Sequence, residues 1–469
     1  MNKSIVTLAI AAMVSGCSLA PVLPPTAPPV AREWPNDGAD KTLRPSIEAR
    51  AASDIAWREF IASEPLRQVV QLALDHNRDL RVSILNIEKA RARYGVVDAG
   101  RLPHLDAGVG QIAQRVPARQ SDTGAGHVAR QYSGGVSIPA FELDVFGRVR
   151  NMSEAALQQY LGTEEARRAH QISLVAEVVD AWLTLAAERE RLQLAMETLG
   201  NQQATFELAR RRFEAGATSG LDMVEARTSV DAARHDAAAC RTRVAAGENA
   251  LTLLVGTPVP AGLLPHEPLQ AVSRLADLPT GVPSDVLRRR PDVAAAERAL
   301  RAANADIGVA RAAFFPSMSL TAFAGGASPG LSGLFKAGSG AWTFAPQLNL
   351  PIFTGGANQA NLDIAGANRD IALAQYDKAL QSAFREVADA LAERGTLDER
   401  LAAQASLVDA AEKSYRIHDA RYRKGVESYL NTLVSQRELY NARQNLIGIR
   451  LASASNRIAL YKVLGGGWQ

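Results

Sequence analysis

The sequence predicts a mainly α-helical chain that is written twice and that adds two β-strands in each copy. Three observations predict this fold class. Two stretches of about 200 residues match each other, two segments of about 65 residues keep a continuous helical pattern, and four short segments alternate apolar with small or polar residues. Together they favour an elongated repeat protein over a compact globular enzyme.

The duplication is visible in matched anchors along the chain. The stretch Asn77–Leu105 aligns with Arg290–Met318, and this alignment pairs Gly95 with Gly308 at an offset of 213 (308 − 95). Later anchors keep an offset of 209 and pair the glycines of two turns and of two helix ends: Gly216 with Gly425, and Gly256 with Gly465. Anchors that recur in the same order at nearly constant spacing indicate an internal duplication.

The N-terminus has the pattern of an export signal. Lys3 precedes the apolar run Ile5–Val14, and the small residues Ser15 and Gly16 come directly before Cys17. The form Val-Ser-Gly-Cys resembles the bacterial lipobox, which implies that Cys17 becomes the first residue of the mature chain and carries covalent lipid. The resemblance implies S-diacylglycerol and N-palmitoyl groups on that cysteine and no other cofactor.

Each repeat has the same internal order. A helical segment comes first (about Pro65 to Gly100, and about Pro283 to Ala313), followed by two candidate strands, a very long helix, a glycine-containing turn and a final helix. The predicted organisation is a signal peptide (1–16), a lipidated Pro-rich extension (17–62), the first repeat (63–256), a linker (257–282), the second repeat (283–465) and a C-terminal tail (466–469).

The two long helices are predicted from about Arg148 to Glu214 and from about Ala357 to Lys424. At about 1.5 Å per residue, such helices are rods of roughly 100 Å. Their apolar residues step by three and four, the spacing of coiled-coil seams. The seam residues are Ile172, Val175, Val179, Trp182 and Ala186 in the first helix, and Leu380, Phe384, Val387 and Leu391 in the second.

The four candidate strands have the period of two that is typical of a sheet with one apolar face. They lie in Leu105–Val116, Tyr132–Ile138, Met318–Ala322 and Trp342–Leu350. A soluble four-stranded sheet is one interpretation of this pattern. Their matched positions and the lipobox favour membrane strands instead. Since four strands cannot close a barrel, two chains would supply eight strands, and three would supply the twelve of an open pore.

The remaining composition excludes several classes of function. The net charge of +3 offers no basic surface for nucleic acid. The seven histidines have no metal-ligand spacing, no glycine-rich phosphate loop follows a strand, and no catalytic cluster emerges. With Cys17 lipidated, Cys240 has no disulfide partner and is interpreted as a packed core residue. We therefore expect no enzyme, no catalytic residues and no metal.

Three stretches carry a resemblance to a known family: RRRPDVAAAERALRAANADIGVARAAFFPSMSL, LFKAGSGAWTFAPQLNLPIFTGG and RYRKGVESYLNTLVSQRELYNARQNL. They resemble the outer membrane factor family, in its lipoprotein branch of the OprM and NodT type, with TolC-like proteins as more distant relatives. The resemblance covers about Trp57 to Gly465. It implies a homotrimer with a twelve-stranded β-barrel, four strands per chain, in the outer membrane. That barrel would be continuous with a long periplasmic α-helical coiled-coil barrel.

The resemblance also implies function and partners. Such proteins are passive exit ducts of tripartite efflux pumps for drugs or other small molecules, and contribute to antibiotic resistance. The expected partners are a periplasmic adaptor (membrane fusion) protein, an inner-membrane transporter of the RND class and outer membrane lipid. The expected location is the outer membrane, with a lipid anchor and an extension into the periplasm.

A periplasmic gate is expected where the long helices turn. The tip aromatic of the family falls on Tyr422, and the acidic residue of its tip pattern falls on Glu427. In the first repeat, Asp222 and Glu225 lie at a comparable level. We expect an acidic ring of Asp222, Glu225 and Glu427, with Tyr422 and Arg421 as packing and tethering partners.

The glycines of the two turns, Gly216 and Gly425, mark the expected docking sites for the helical hairpin of the adaptor. Helix C-caps are the alternative interpretation of both glycines. Two other functions also remain open at this point: the exit channel of a type I secretion system, and a lipid-tethered periplasmic coiled-coil scaffold without a pore.

Overall fold

The structure is a computed structural model that describes residues 18–23, 29–31, 34, 52–122, 124–273, 275 and 284–468. The predicted signal peptide and Cys17 lie outside these residues. The chain divides into two compact units. The first comprises Asn86–Glu164 and Ala295–Asp377 with the described part of Met1–Ala27, and the second comprises Glu165–Ala294 and Lys378–Gln469 with the described part of Pro28–Leu85.

The elements follow the predicted order in both repeats. The α-helices are α1 (Trp57–Phe60), α2 (Glu64–His76), α3 (Arg78–Asp98), α4 (Arg148–Glu214), α5 (Gly220–Val255), α6 (Leu269–Val272), α7 (Pro291–Ala312), α8 (Ala357–Arg423) and α9 (Tyr429–Val463). The strands are β1 (Asp106–Val116), β2 (His127–Leu143), β3 (Ser317–Ser328) and β4 (Gly340–Asn349). The predicted fold class is confirmed, and the long helices α4 and α8 have 67 residues each.

The first unit contains one antiparallel sheet in the order β1-β2-β3-β4. Each repeat supplies one hairpin, and the two hairpins meet where β2 pairs with β3. Glycines face each other at this junction, with Gly135 opposite Gly325, and a side chain on either would collide with backbone of the other strand. The glycines therefore allow the two hairpins to approach closely enough to form one sheet.

The second unit has a helical core. The predicted seam of α4 is confirmed, because Ile172, Val175, Val179, Trp182 and Ala186 are all buried. In α8 the seam is partly confirmed: Leu380 and Val387 are buried, whereas Phe384 and Leu391 are half-buried. The apolar spacing of three and four thus positions these helices by burial of one stripe.

The prediction of one helix from about Pro65 to Gly100 is wrong, because the helix is interrupted at Asn77. One helix ends at His76 and the next begins at Arg78. The backbone of Asn77 is extended, with φ −60° and ψ 130°, and separates α2 from α3. Its Oδ1 accepts a hydrogen bond of 2.7 Å from the amide of Leu80, and its Nδ2 donates one of 2.7 Å to the carbonyl of Leu254. Asparagine favours this capping role over a helix interior.

The corresponding position of the second repeat has the same task with a different side chain. Arg290 corresponds to Asn77 at the offset of 213, and its Nη1 donates a hydrogen bond of 3.0 Å to the carbonyl of Val463. Its other nitrogens bind Asp292 and Glu386. The segment that enters the strand-bearing half of each repeat is therefore tied to the end of that repeat's last helix.

Within the described residues, no helix combines the length and the apolar composition that crossing a membrane would require.

Candidate functional site at the helical turns

The two turns that follow the long helices share one backbone geometry. In the first, the amide of Gly216 donates to the carbonyl of Phe213, and the amide of Ala217 to that of Arg212. The second turn repeats both bonds 209 residues later, and its glycine has φ +73° against +66° for Gly216. This is a Schellman ending, which requires a left-handed residue at the position of the glycine.

A side-chain pair closes each turn onto the helix that follows. In the first repeat, Thr218 donates a hydrogen bond to the carboxylate of Asp222. In the second, the corresponding residues are Glu427 and Asn431, and Asn431 donates a bond of 2.7 Å to Glu427. The duplication has kept the contact and exchanged the donor with the acceptor.

The carboxylate of Glu427 is held within its own repeat. Its Oε2 lies 3.1 Å from Nε of Arg421, and its Oε1 lies 3.0 Å from Nδ1 of His418. The side chain is only 12% exposed. Hydrogen bonds from Asn431 and His418 lower the pKa of Glu427 below its ordinary value of 4.5. The second turn is thus closed around one charged carboxylate.

Arg212 connects the two turns. Its Nη1 and Nη2 donate to the last carbonyls of α8, at 3.3 Å from the oxygen of Tyr422 and 2.9 Å from that of Arg423. Its guanidinium also lies 5.0 Å from the centre of the Tyr422 ring. A cation at a helix C-terminus interacts favourably with the helix dipole, and a cation over an aromatic ring adds a second attraction.

An aromatic cluster lies beneath Arg212. Tyr422 and Tyr429 are buried with their ring centres 5.4 Å apart, and they pack with Ala209 and Ala226. Burial raises the pKa of Tyr429 to about 12, so this residue stays neutral at physiological pH. Packing in this cluster holds the ring of Tyr422, over which the guanidinium of Arg212 lies.

A cavity of about 560 Å³ lies next to this cluster, between α4, α5 and α9. Its polar lining includes Glu225, Asp236, Arg437 and Tyr440. A buried hydrogen bond of 3.0 Å from Gln202 to Gln436 joins α4 to α9 beside it. Glu225, on α5, lines this cavity together with residues of α4 and α9 of its own chain.

The predicted acidic gate residues do not lie at equivalent positions of the two repeats. Asp222 corresponds to Asn431 in the duplication, whereas Glu427 corresponds to Thr218, so the two acids are not equivalent. Asp222 bonds to Thr218, Glu225 lines the cavity, and Arg421 pairs with Glu427. Tyr422 lies in the aromatic cluster, and Gly216 and Gly425 both end helices. Cys17, the predicted lipidation site, lies outside the described residues.

Sequence reasoning missed Arg212 and His418. The offset of 209 pairs Arg212 with Arg421, so the duplication could have indicated a second arginine at the tip. No local pattern indicates that one arginine binds its own turn while the other crosses to the opposite one. The arginine that stays in its own turn pairs with Glu427, whereas the first turn has the neutral Thr218 at the corresponding position.

The described residues contain no group of three or more His, Cys, Asp or Glu side chains arranged to hold a metal ion.

Comparison with known proteins establishes the family. A family model described as outer membrane efflux protein matches residues 69–257 and 282–466, which are two stretches of similar length. The chain belongs to this outer membrane efflux protein family. Its internal duplication is consistent with the two matched stretches.

Individual relatives are also outer membrane proteins. The toluene efflux pump outer membrane protein TtgC of Pseudomonas putida is 46% identical, over 100% of this chain and 96% of that protein. Outer membrane protein OprJ of Pseudomonas aeruginosa is 42% identical, over 98% of this chain and 95% of that protein. The open state of the Neisseria gonorrhoeae outer membrane channel MtrE superimposes with a TM-score of 0.85 at 36% identity, covering 97% of this chain and 99% of the channel.

Family membership confirms the predicted function in its general form. The chain is an outer membrane component of an efflux system, it is a transport protein, and it is not an enzyme. Its location is the outer membrane.

The lowered pKa of Glu427 predicts a pH dependence with a definite sign. The contribution of this carboxylate to stability is complete above its unfolded value of 4.5 and is lost as the pH falls through the lowered folded value. We expect Glu427→Gln to unfold at a lower temperature than the parent at about pH 7, and the difference to be smaller at about pH 3. Thermal unfolding followed by helical circular dichroism measures both.

The matched control is Glu438→Gln, because Glu438 is exposed on α9 and has no ion pair within the described chain. It should change the unfolding temperature at neither pH. A difference for Glu427→Gln that persists undiminished at the lower pH would contradict the assignment.

Proposed function

We propose that this protein is the exit duct of a tripartite efflux pump and that it acts as a homotrimer with a twelve-stranded barrel. The observation that carries the proposal is the open four-stranded sheet. In the described residues, β1 and β4 each pair on one side only. Backbone groups at such edges cannot remain unpaired in hydrocarbon, so β4 of one copy would pair with β1 of the next.

The exposed faces of the strands support a membrane location for this sheet. Trp342, Phe344 and Leu348 share one face of β4 and are between 60% and 79% exposed. The opposite face presents Thr343, Gln347 and Asn349. Three copies joined edge to edge would place the apolar face against lipid and the polar face towards water.

The geometry of the turns supports a gate at the periplasmic end. Arg212 holds the end of α8 by two hydrogen bonds, and Glu427 closes the second turn on itself. We propose that these two sets of contacts stabilise the closed state of the gate. Since Glu427 pairs with Arg421 and contacts His418, it acts as an internal clasp, and Asp222 and Glu225 remain the candidates for an acidic ring.

Exposed apolar residues at the turns support docking of the adaptor protein there. Val426, Leu430 and Val434 recur every fourth residue from the second turn into α9, and all three are exposed. Leu221 and Val224 present a similar surface after the first turn. Such stripes fit an amphipathic helical hairpin, as the tip of an adaptor would supply.

Small apolar molecules are the cargo that we propose, with a transporter of the RND class as the energy source. Support comes from the relative at 46% identity, which is named a toluene efflux pump protein. We further propose that Cys17 carries S-diacylglycerol and N-palmitoyl groups, on the strength of the lipobox pattern. Type I secretion is the second candidate, since a duct of this kind does not itself select the cargo.

Deletion of the gene in its host tests the proposed cargo. We expect higher susceptibility to toluene and to antibiotics, restored by the intact chain, because the pump would lose its route across the outer membrane. Protein secretion should not change. Unchanged susceptibility together with the loss of a secreted protein would favour type I secretion instead.

Removal of the crossing arginine tests the gate. Arg212→Met loses two charge-assisted hydrogen bonds, which destabilises the closed state by about 2 kcal/mol and raises a small open fraction about thirtyfold. Single-channel conductance in planar bilayers measures this fraction. The double variant Tyr422→Ala with Glu427→Ala should also leak.

Arg211→Met is the matched control, because Arg211 is the preceding residue and its side chain is exposed. It should conduct like the parent. Equal open fractions for Arg212→Met, the double variant and this control would refute the assignment of the gate.

A further inference from the structure

The charged residues of the two hairpins are almost all basic. Between residues 107 and 141, and between 317 and 350, the sequence has one acidic residue, Asp122, and the basic residues Arg115, Arg119, Arg130 and Lys336. The whole chain is nearly balanced, with 52 Lys and Arg against 49 Asp and Glu. The excess of positive charge is therefore a local property of the strand-bearing segments.

These cations lie at the end of the sheet that is remote from the helices. Arg115 and Arg130 lie next to the turn that joins β1 to β2, and Lys336 lies in the loop that joins β3 to β4. The other acidic residues of the strands, Asp106 and Glu142, lie at the opposite end, where α3 is followed by β1 and β2 by α4. The sheet is thus basic at its hairpin end.

Arg115 and Arg130 belong to the apolar face of the sheet. Residues that are opposite each other in an antiparallel pair share a face, and so do residues two apart along a strand. The pairing register follows the apolar face from Trp342 on β4 through Ala324 on β3 to Val136 on β2. Arg130 is six positions from Val136 on the same strand, and Arg115 is opposite the next β2 residue of that face.

The loop between β3 and β4, residues 329–339, folds onto the same face. The side chain of Leu334 is 2% exposed, and a side chain added to Gly134, a residue of that face, would come within 3.3 Å of its Cδ2 atom. The hydroxyl of Ser339 donates hydrogen bonds to the carbonyls of Leu334 at 2.7 Å and of Lys336 at 2.8 Å. Packing and hydrogen bonds therefore hold this loop against the apolar face.

The loop presents an aromatic ring and a cation next to each other. Phe335 is 86% exposed, and Lys336 is exposed as well. Trp342, near the start of β4 on the apolar face, is 79% exposed. Exposed aromatic rings beside basic side chains are typical of protein surfaces that lie at the boundary between acyl chains and head groups.

No carboxylate of the chain compensates these cations. Arg115, Arg130 and Lys336 are all exposed, and within the part of the chain that the structure describes none of them forms an ion pair. Cations on a face that meets hydrocarbon are costly unless an anion accompanies them. Phosphate oxygens accept charge-assisted hydrogen bonds from both guanidinium and ammonium groups, so a phosphorylated head group would supply the missing charge.

We infer that the hairpin end of the sheet is a binding site for a phosphorylated glycolipid of the outer leaflet. The cations bind its phosphates, and the exposed ring contacts its acyl chains. The inference rests on the proposed function, because the barrel would place this face against lipid and this end on the side opposite the periplasmic helices. We call Arg115, Arg130, Phe335 and Lys336 the lipid rim.

Binding of lipid A to the full-length protein in detergent tests the lipid rim. Lipid A is a glycolipid with phosphates on its sugars, and the bound lipid is measured by native mass spectrometry. The triple variant Arg115→Gln, Arg130→Gln and Lys336→Gln should bind lipid A about hundredfold more weakly than the parent, because three cations are lost from an anionic contact. Phe335→Ser should weaken binding about tenfold through the loss of apolar contact.

The matched control removes the same charge from another surface. Arg78, Arg81 and Lys89 are exposed cations of α3, which lies outside the sheet. Replacing all three by glutamine should leave the affinity for lipid A unchanged. Equal weakening in this control and in the triple variant of the lipid rim would overturn the inference, because net charge alone would then explain the binding.

Two further probes identify what the lipid rim recognises. Lipid A from which the phosphates have been removed should bind the parent more weakly than intact lipid A, and the triple variant should not distinguish the two lipids. Inorganic phosphate in large excess should not displace lipid A, because it offers no acyl chains to Phe335. Equal affinity of the parent for both lipids, or displacement by inorganic phosphate, would overturn the inference.

Single-channel conductance of the same samples separates this inference from the proposed function. The triple variant of the lipid rim should conduct like the parent, since its residues are remote from the helical turns. A conducting triple variant with undiminished affinity for lipid A would refute the inference alone. A parent that forms no conducting pore would refute the proposed function and the inference with it.

Discussion

The unpaired edges of the four-stranded sheet determine how this protein can assemble in a membrane. β1 and β4 have no second neighbour in the described chain, and their apolar residues are exposed. In lipid, an open edge is excluded, so the sheet is complete only when copies of the chain pair with one another. Each copy also carries two helices of 67 residues, α4 and α8.

The duplication supplies two similar turns, and small changes in sequence give them different roles. Both turns end a long helix by the same backbone hydrogen bonds. Glu427 captures Arg421 in the second turn, whereas Thr218 leaves Arg212 of the first turn able to reach the end of α8. Arg212 of the first turn thereby holds the end of α8, and the two turns differ at the position occupied by Thr218 and Glu427. In the proposed gate, opening would break these few polar contacts while the helices remain intact.

Local signals predicted the elements well. The ends of α4 and α8 follow from Gly216 and Gly425, since a left-handed glycine stops a helix wherever it occurs. The strands follow from their period of two, and the seam of α4 from its heptad spacing. The break at Asn77 was missed because a helical pattern continues across it, and the contacts of its side chain with Leu80 and Leu254 reveal its role.

Long-range contacts could not be predicted. From the sequence, Glu427 was expected in an acidic ring, but its contact with His418 depends on how the turn folds back on α8. The crossing of Arg212 and the hydrogen bond from Ser18 to Asn151 join residues 210 and 133 positions apart. Such pairs follow from the packing of elements, which one sequence without relatives does not specify.

The mass of the detergent-extracted native protein shows how many copies of the open sheet join. We expect three chains, since three copies of an open four-stranded sheet supply the twelve strands of a closed pore. A particle of one chain would contradict it, because the edges of the sheet would then remain unpaired and the protein could not form the duct.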